Sequence, residues 1–228
     1  MTSITAPVAQ GDDHQHGGHY TSYGLDNRKV GIWTFIGSEC MLFGSLISTY
    51  LVYKGRSTTG PFPHEVWTDP STGQQFPAIL NIPVTSASTF VLLMSSLAMV
   101  LALSAVQNRY KPKNTAWERI LGSSKIWLWA TALLGITFLG FQAYEFTSFV
   151  HEGLTFRRNL FGSSFFTLTG FHGAHVTAGV LWLFTLLAID YKRGLEPKDA
   201  GLVDVAALYW HFVDVIWIVI FTLVYLIR

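Results

Sequence analysis

The chain has 228 residues, of which 50% are hydrophobic and only 13% are Asp, Glu, Lys or Arg, and its formal net charge is +1. A soluble domain carries about 25% charged residues, so this composition excludes an ordinary water-soluble fold. A net charge so close to zero gives no electrostatic reason to expect a nucleic-acid partner.

Residues 1–29 are polar and hold a His14-x-His16-x-x-His19 cluster. They contain no apolar run of the kind a cleavable signal peptide needs, and they read as a flexible tail rather than a metal site. The apolar material then falls into five blocks, at about 30–53, 83–107, 126–150, 163–189 and 204–227. Each exceeds or matches the roughly 20 helical residues that cross a 30 Å hydrocarbon core. Helix is required because backbone groups in hydrocarbon must be satisfied within their own segment. The expected fold is therefore all-α, a bundle of five transmembrane helices over 30–228.

Lys and Arg near the span ends are unequally shared. Arg28, Lys29, Arg109, Lys111, Lys113, Arg119, Lys125, Lys192, Arg193 and Lys198 fall on one side, and Lys54, Arg56, Arg157, Arg158 and Arg228 on the other. The positive-inside rule then places the N-terminus in the cytoplasm and the C-terminus outside. The connection from Lys54 to Ile82, with Pro61, Pro63, Pro70 and Pro77, lies outside on this topology, either as a cover for a partner's surface or as a solvated linker. Tyr50, Tyr53, Trp127, Trp129, Tyr191 and Tyr209 read as interfacial aromatic belts. The single Cys40 reads as a small buried apolar residue.

Ionisable and amide side chains inside the spans are the best guide to function, since a charge at mid-bilayer costs at least about 2.5 kcal/mol and must face a partner. Glu39 lies near the middle of the first span, with Leu42, Phe43 and Leu46 on its face, while Gly37, Gly44 and Ser48 form a separate small-residue stripe suited to close helix contact. Glu39 reads either as a proton-exchanging or lipid-contacting carboxyl or as a neutral carboxyl bonded to a neighbouring helix. Gln142 and Glu145 form an i, i+3 pair in the third span; His172, His175 and Gly179 share one face of the fourth; His211 and Asp214 form an i, i+3 pair in the fifth. Two histidines at i, i+3 can begin a metal site, but no third ligand or Glu-x-x-His repeat accompanies them, so an interhelical polar network is the preferred role. Depth along the helices predicts that Glu145 meets His172 and that His175 meets the His211/Asp214 pair.

Phe171-His172-Gly173-Ala174-His175-Val176-x-x-Gly179 closely resembles the signature of subunit III of the heme-copper oxidases. Tyr209-Trp210-His211-Phe212-Val213-Asp214-x-x-Trp217, Gln142-x-x-Glu145 and Ser38-Glu39 followed by Phe43 match further motifs of that family, in the family's order. The resemblance implies a five-helix bacterial form that binds no heme, copper or other metal itself and has no catalytic centre. Hemes and copper sit in partner subunits. It implies packing on subunit I of a cytochrome c oxidase or a quinol oxidase, residence in the bacterial inner membrane, support of proton uptake, and a phospholipid-filled cleft near Glu39. Two N-terminal helices of the longer family form are absent, so half of that cleft would be completed by another chain or be missing. Accessory subunits of nitric-oxide reductases share the five-helix form. An independent proton-coupled transporter is the rival from another class; the internal repeats and broken helices usual in such folds are not visible here.

Overall fold

A computed structural model describes residues 27–227 except 55, 58–59, 61–64, 69, 71–72, 74, 77–79 and 113. The His14/His16/His19 cluster, Lys113 and Arg228 lie outside the described residues. Five helices are long and apolar enough to cross a membrane: α1 (Asn27–Tyr53), α2 (Ile82–Gln107), α4 (Ser124–His151), α5 (Leu160–Lys192) and α6 (Ala200–Phe221), the last flanked by a 3₁₀ turn (Pro197–Asp199) and a π-helical turn (Thr222–Leu226). A short helix α3 (Ala116–Leu121) precedes α4, and a two-residue ladder pairs β1 (Trp67–Thr68) with β2 (Gln75–Phe76) in the α1–α2 connection.

Helix ends follow local chemistry. Asn81 caps α2 through its side chain, with Pro83 in the first turn, and Asn159 Oδ1 accepts the Gly162 amide at 2.6 Å to start α5. At the end of α4, Gly153 takes φ +85°, the Leu154 amide donates to Phe149 O at 2.9 Å and the Gly153 amide to Val150 O at 3.1 Å, a Schellman closure. Thr115 and Glu118 form a reciprocal capping box on α3.

α2 and α4 share the widest interface; α6 packs on α2 and α5, and α5 on α4. α1 rests on α5 and α6 through Ile32, Ile36, Phe43 and Tyr50. Outward faces carry Trp33, Met41, Phe90, Leu97, Leu133, Leu181 and Val215, as lipid-facing surfaces should. Three details depart from the sequence expectations. A Cβ built on Gly37 or Gly44 meets nothing within 4 Å, so the small-residue stripe of α1 faces away from the described residues of this chain. Cys40 lies on that exposed side rather than in the core. Tyr50 and Tyr209 are buried, because α1 lays Tyr50 on Phe161 and Tyr209 turns inward to α5.

Both ends of the bundle are cross-tied. At one end Lys29 pairs with Asp204 at 2.8 Å. There too Asp190, its side chain fully enclosed, accepts the Ser124 hydroxyl at 2.6 Å and the Leu195 amide at 2.9 Å and faces Arg109 at 3.7 Å. Arg109 also donates to Leu195 O at 2.5 Å. This knot joins the end of α2, the start of α4 and the turn after α5. At the opposite end Lys54 Nζ donates to Ile227 O at 2.6 Å and Leu223 O at 3.4 Å, tying α1 to the last turn of the chain.

Two outcomes follow from these contacts. Asp190→Asn leaves several donors facing one acceptor oxygen and costs about 1–3 kcal/mol, read as a lower thermal unfolding midpoint in detergent; an unchanged midpoint contradicts the knot. The backbone amides of Thr115 and Asn114 hold the Glu118 carboxyl below its ordinary range. Because the folded value is depressed, its capping contribution is present above the ordinary value of 4.5 and is lost as pH falls through the folded one. Amide exchange at Asn114 and Thr115, corrected for intrinsic rate, accelerates across that fall; constant protection contradicts it.

Candidate functional site: a polar spine inside the bundle

α2 presents Thr85, Ser88, Thr89, Leu92, Ser95 and Met99 on one buried face. In hydrocarbon each hydroxyl first turns to its own helix: Thr89 Oγ1 donates to Thr85 O at 2.7 Å and Ser95 Oγ to Leu92 O at 2.5 Å. That leaves each oxygen free to accept, and α6 supplies the donors. Trp217 Nε1 donates to Thr89 Oγ1 at 2.9 Å and Trp210 Nε1 to Ser95 Oγ at 3.0 Å. Ser96 Oγ lies 2.5 Å from His211 Nδ1. From 89–217 to 95–210 and 96–211 the numbering rises along α2 and falls along α6, so these pairs set one antiparallel register between the two helices. Asp214 is buried one turn from His211, in electrostatic contact with Ser96, and among the described residues neither carboxyl oxygen has a geometrically sound hydrogen bond.

Trp210 is held between two glycines. A Cβ on Gly135 of α4 would stand 2.7 Å from its Cη2, and a Cβ on Gly179 of α5 would stand 2.7 Å from its Cζ3. The absent side chains are the slot for the indole. Gly173 plays the same part for Gln142, whose Nε2 donates to Thr169 O at 2.7 Å. His172 is fully buried in an aromatic box, stacked on Trp217 at 4.8 Å and edge-on to Phe138 at 5.7 Å. Among the described residues neither of its ring nitrogens has a hydrogen-bond partner.

The predicted pairings are therefore corrected. Glu145 accepts from the Thr85 hydroxyl of α2, not from His172. Tyr225 joins the same cluster. His175 does not bond to the His211/Asp214 pair; its Nε2 meets Glu39 Oε2 of α1 at 3.1 Å. The reason is rotation about the helix axes: residues at equal depth point to different neighbours, with Glu145 facing α2 and His175 facing α1.

The Glu39–His175 pair is the one carboxyl–imidazole contact among the described residues, near the midpoint of both helices. His175 Nδ1 lies 2.8 Å from Phe171 O, so it carries a proton and donates to that carbonyl. Nε2 and the Glu39 oxygen at 3.1 Å then need one proton between them. The pair is net neutral whichever atom holds that proton, which is the charge state a membrane interior tolerates. Phe43 meets the imidazole at 5.0 Å, and Tyr209 donates to His175 O at 3.0 Å. Both side chains remain 16% exposed, so the shared proton lies at the edge of the packed interior. Two mainly apolar grooves lie farther along α1, one toward its start, lined by Ile32, Phe35, Trp182 and Val205, and one toward its end, lined by Leu46, Thr49, Leu160 and Thr167; neither Glu39 nor His175 lines them. Among the described residues no group of three or more His, Cys, Asp or Glu side chains is arranged to hold a metal ion.

A family model described as cytochrome c oxidase subunit III matches residues 10–227. The chain belongs to the cytochrome c oxidase subunit III family. Relatives named cytochrome c oxidase subunit 3 from Bacillus sp. (strain PS3) and quinol oxidase subunit 3 from Bacillus subtilis (strain 168) are 41% and 36% identical. The alignment with the first covers 88% of this chain and 86% of the relative, and with the second 86% and 85%. A cytochrome bo(3) ubiquinol oxidase subunit 3 from Pseudomonas aeruginosa is 34% identical over 95% of this chain and 90% of its own length. The family thus includes subunit III both of oxidases named for cytochrome c and of oxidases named for quinol.

Sequence reading missed the α2 hydroxyls, the two indole donors and Gly135. The signal was present as Thr85, Thr89, Leu92, Ser95 and Met99 recurring at three- and four-residue steps, with small residues opposite. The slot yields a paired prediction. Gly179→Ala drives a methyl into Trp210 and costs about 1–3 kcal/mol. Gly37→Ala meets open space and is neutral or stabilising by up to about 1 kcal/mol. Thermal midpoints of the two purified variants check this; equal midpoints contradict the slot.

Proposed function

We propose that this chain is the non-catalytic subunit III of a bacterial proton-pumping terminal oxidase of the inner membrane, packed on the catalytic subunit I with its N-terminus in the cytoplasm. The role of the chain is to stabilise that subunit and to support its proton uptake during oxygen reduction. The observation that carries this reading is the Glu39–His175 pair at mid-bilayer. A carboxyl and an imidazole that share one proton, partly open to the surroundings, can shift it between them without a change of net charge, and can hand it on without leaving a net charge in hydrocarbon when a second proton arrives in its place. The buried polar groups elsewhere serve packing: their bonds are indole to hydroxyl, amide to carbonyl and hydroxyl to carboxyl across helix seams.

The two grooves along α1, one on either side of the level of Glu39, support a phospholipid acyl chain laid along that helix. α1 is held through few buried residues, which suits a helix that must leave room for lipid. Cytochrome c is the preferred electron donor, since the relatives at 41% identity carry that name. A quinol is the second reading, supported by the relatives at 34–38% identity.

Glu39→Gln tests the proton role. A glutamine amide can still donate to His175 Nε2, so the helix contact survives while the movable proton is lost. The expected variant oxidase assembles with unaltered heme spectra but takes up protons more slowly and inactivates after fewer turnovers. Unaltered proton uptake together with unaltered turnover lifetime contradicts the proton role. Purification of the tagged chain from its native membrane without any heme protein contradicts the oxidase assignment itself.

A further inference from the structure

Arg109, Arg119 and Lys125 line one open cavity of ≈ 380 Å³, where α2 and α5 end and α4 begins. Asp190 also reaches it, but that carboxylate is enclosed and already engaged by Ser124, Leu195 and Arg109. Among the described residues neither Arg119 nor Lys125 meets a carboxylate at ion-pair distance. Three cations against one enclosed acid leave the cavity net positive.

The start of α4 adds to that field. Among the described residues Ser123 makes no side-chain capping bond and the first turn holds no acidic residue, so the positive end of the helix dipole opens on the same space. The rim is apolar: Trp117, Ile120 and Leu121 of α3 and Ile126 of α4 are exposed. One turn along, Trp129 Nε1 donates to Tyr191 OH at 3.2 Å, and Lys125 Nζ sits 4.6 Å over the Tyr191 ring. Paired amphipathic aromatics of this kind mark the headgroup level of a bilayer. A water-borne anion has no use for such a rim; a lipid has.

We propose that this cavity seats the phosphate of an anionic phospholipid, with Arg119 and Lys125 on the phosphodiester oxygens and the acyl chains against the α3 rim. A guanidinium fork and an ammonium are the donors that a phosphodiester at a membrane surface calls for. The site lies among α2, α3, α4 and α5, apart from the apolar grooves along α1, and it stands whether or not the donor of the oxidase is cytochrome c.

The test uses the assembled oxidase in nanodiscs of phosphatidylglycerol or phosphatidylcholine, with retained lipid counted by native mass spectrometry. The wild type is expected to keep phosphatidylglycerol in preference to phosphatidylcholine. Arg119→Gln combined with Lys125→Gln is expected to cut that preference roughly twenty-five-fold, at about one factor of five per cation. Arg193→Gln with Lys198→Gln, two cations already paired with Asp199 and Glu196, should leave it unaltered. No preference in the wild type, or equal loss in both double variants, overturns the site. Displacement of the lipid by inorganic phosphate overturns the lipid assignment in favour of a free-phosphate site. The wild-type comparison and the phosphate competition need no variant, so they stand even if a variant fails to assemble.

Discussion

The indole N–H groups of Trp210 and Trp217 have no water to turn to, and α2 meets them with Ser95 and Thr89. An unsatisfied donor in hydrocarbon costs several kcal/mol, so these two bonds fix how far α6 slides along α2. Much else depends on that register. It delivers Trp210 into the slot between Gly135 and Gly179, lays Trp217 on His172, and brings Tyr209 to the carbonyl of His175. Each interhelical bond of this kind is worth only about 0.6 to 2 kcal/mol, yet each removes alternatives that apolar packing alone would allow.

The carboxyl at mid-bilayer is positioned by the last link of that chain. α6 holds α5 through Tyr209, and α5 holds His175 out toward α1. α1 itself contributes little packing, so Glu39 is placed mainly by its bond to the imidazole and by Phe43 against the same ring. A rigid four-helix block thus carries one lightly seated helix whose central acid shares a proton with the block. The cross-ties at the bundle ends, through Lys29 and Asp204 at one side and Lys54 at the other, keep that helix from drifting.

Apolar block length and low charge were enough to reveal five spanning helices, because hydrocarbon leaves the backbone no other option. The motifs around Glu39, Gln142, His172 and Asp214 were likewise legible, and they pointed to the family that the comparisons show. What the chain did not disclose was rotation. Counting residues gives depth, at 1.5 Å per residue, but not the direction in which a side chain leaves its helix once neighbours are packed. Hence His172 and Glu145 lie apart in their bonding, and His175 belongs to Glu39. Ser and Thr passed as neutral filler because a hydroxyl in a helix satisfies itself locally; its second role as an acceptor emerges only when a tryptophan of another helix is seen against it. α3 escaped notice for a plainer reason: it is six residues long and its capping box sits inside a charged connection.

The most direct measurement of this account is the thermal stability of Thr89→Val in the purified subunit, since valine keeps the shape and removes only the hydroxyl, which accepts from Trp217 and donates to Thr85 O within its own helix. The account predicts a loss of about 1–2 kcal/mol, with the Trp217 indole resonance shifted from a bonded to an unbonded environment. A variant as stable as the wild type, with that resonance unmoved, would contradict the claim that hydroxyl–indole bonds set the register of the bundle.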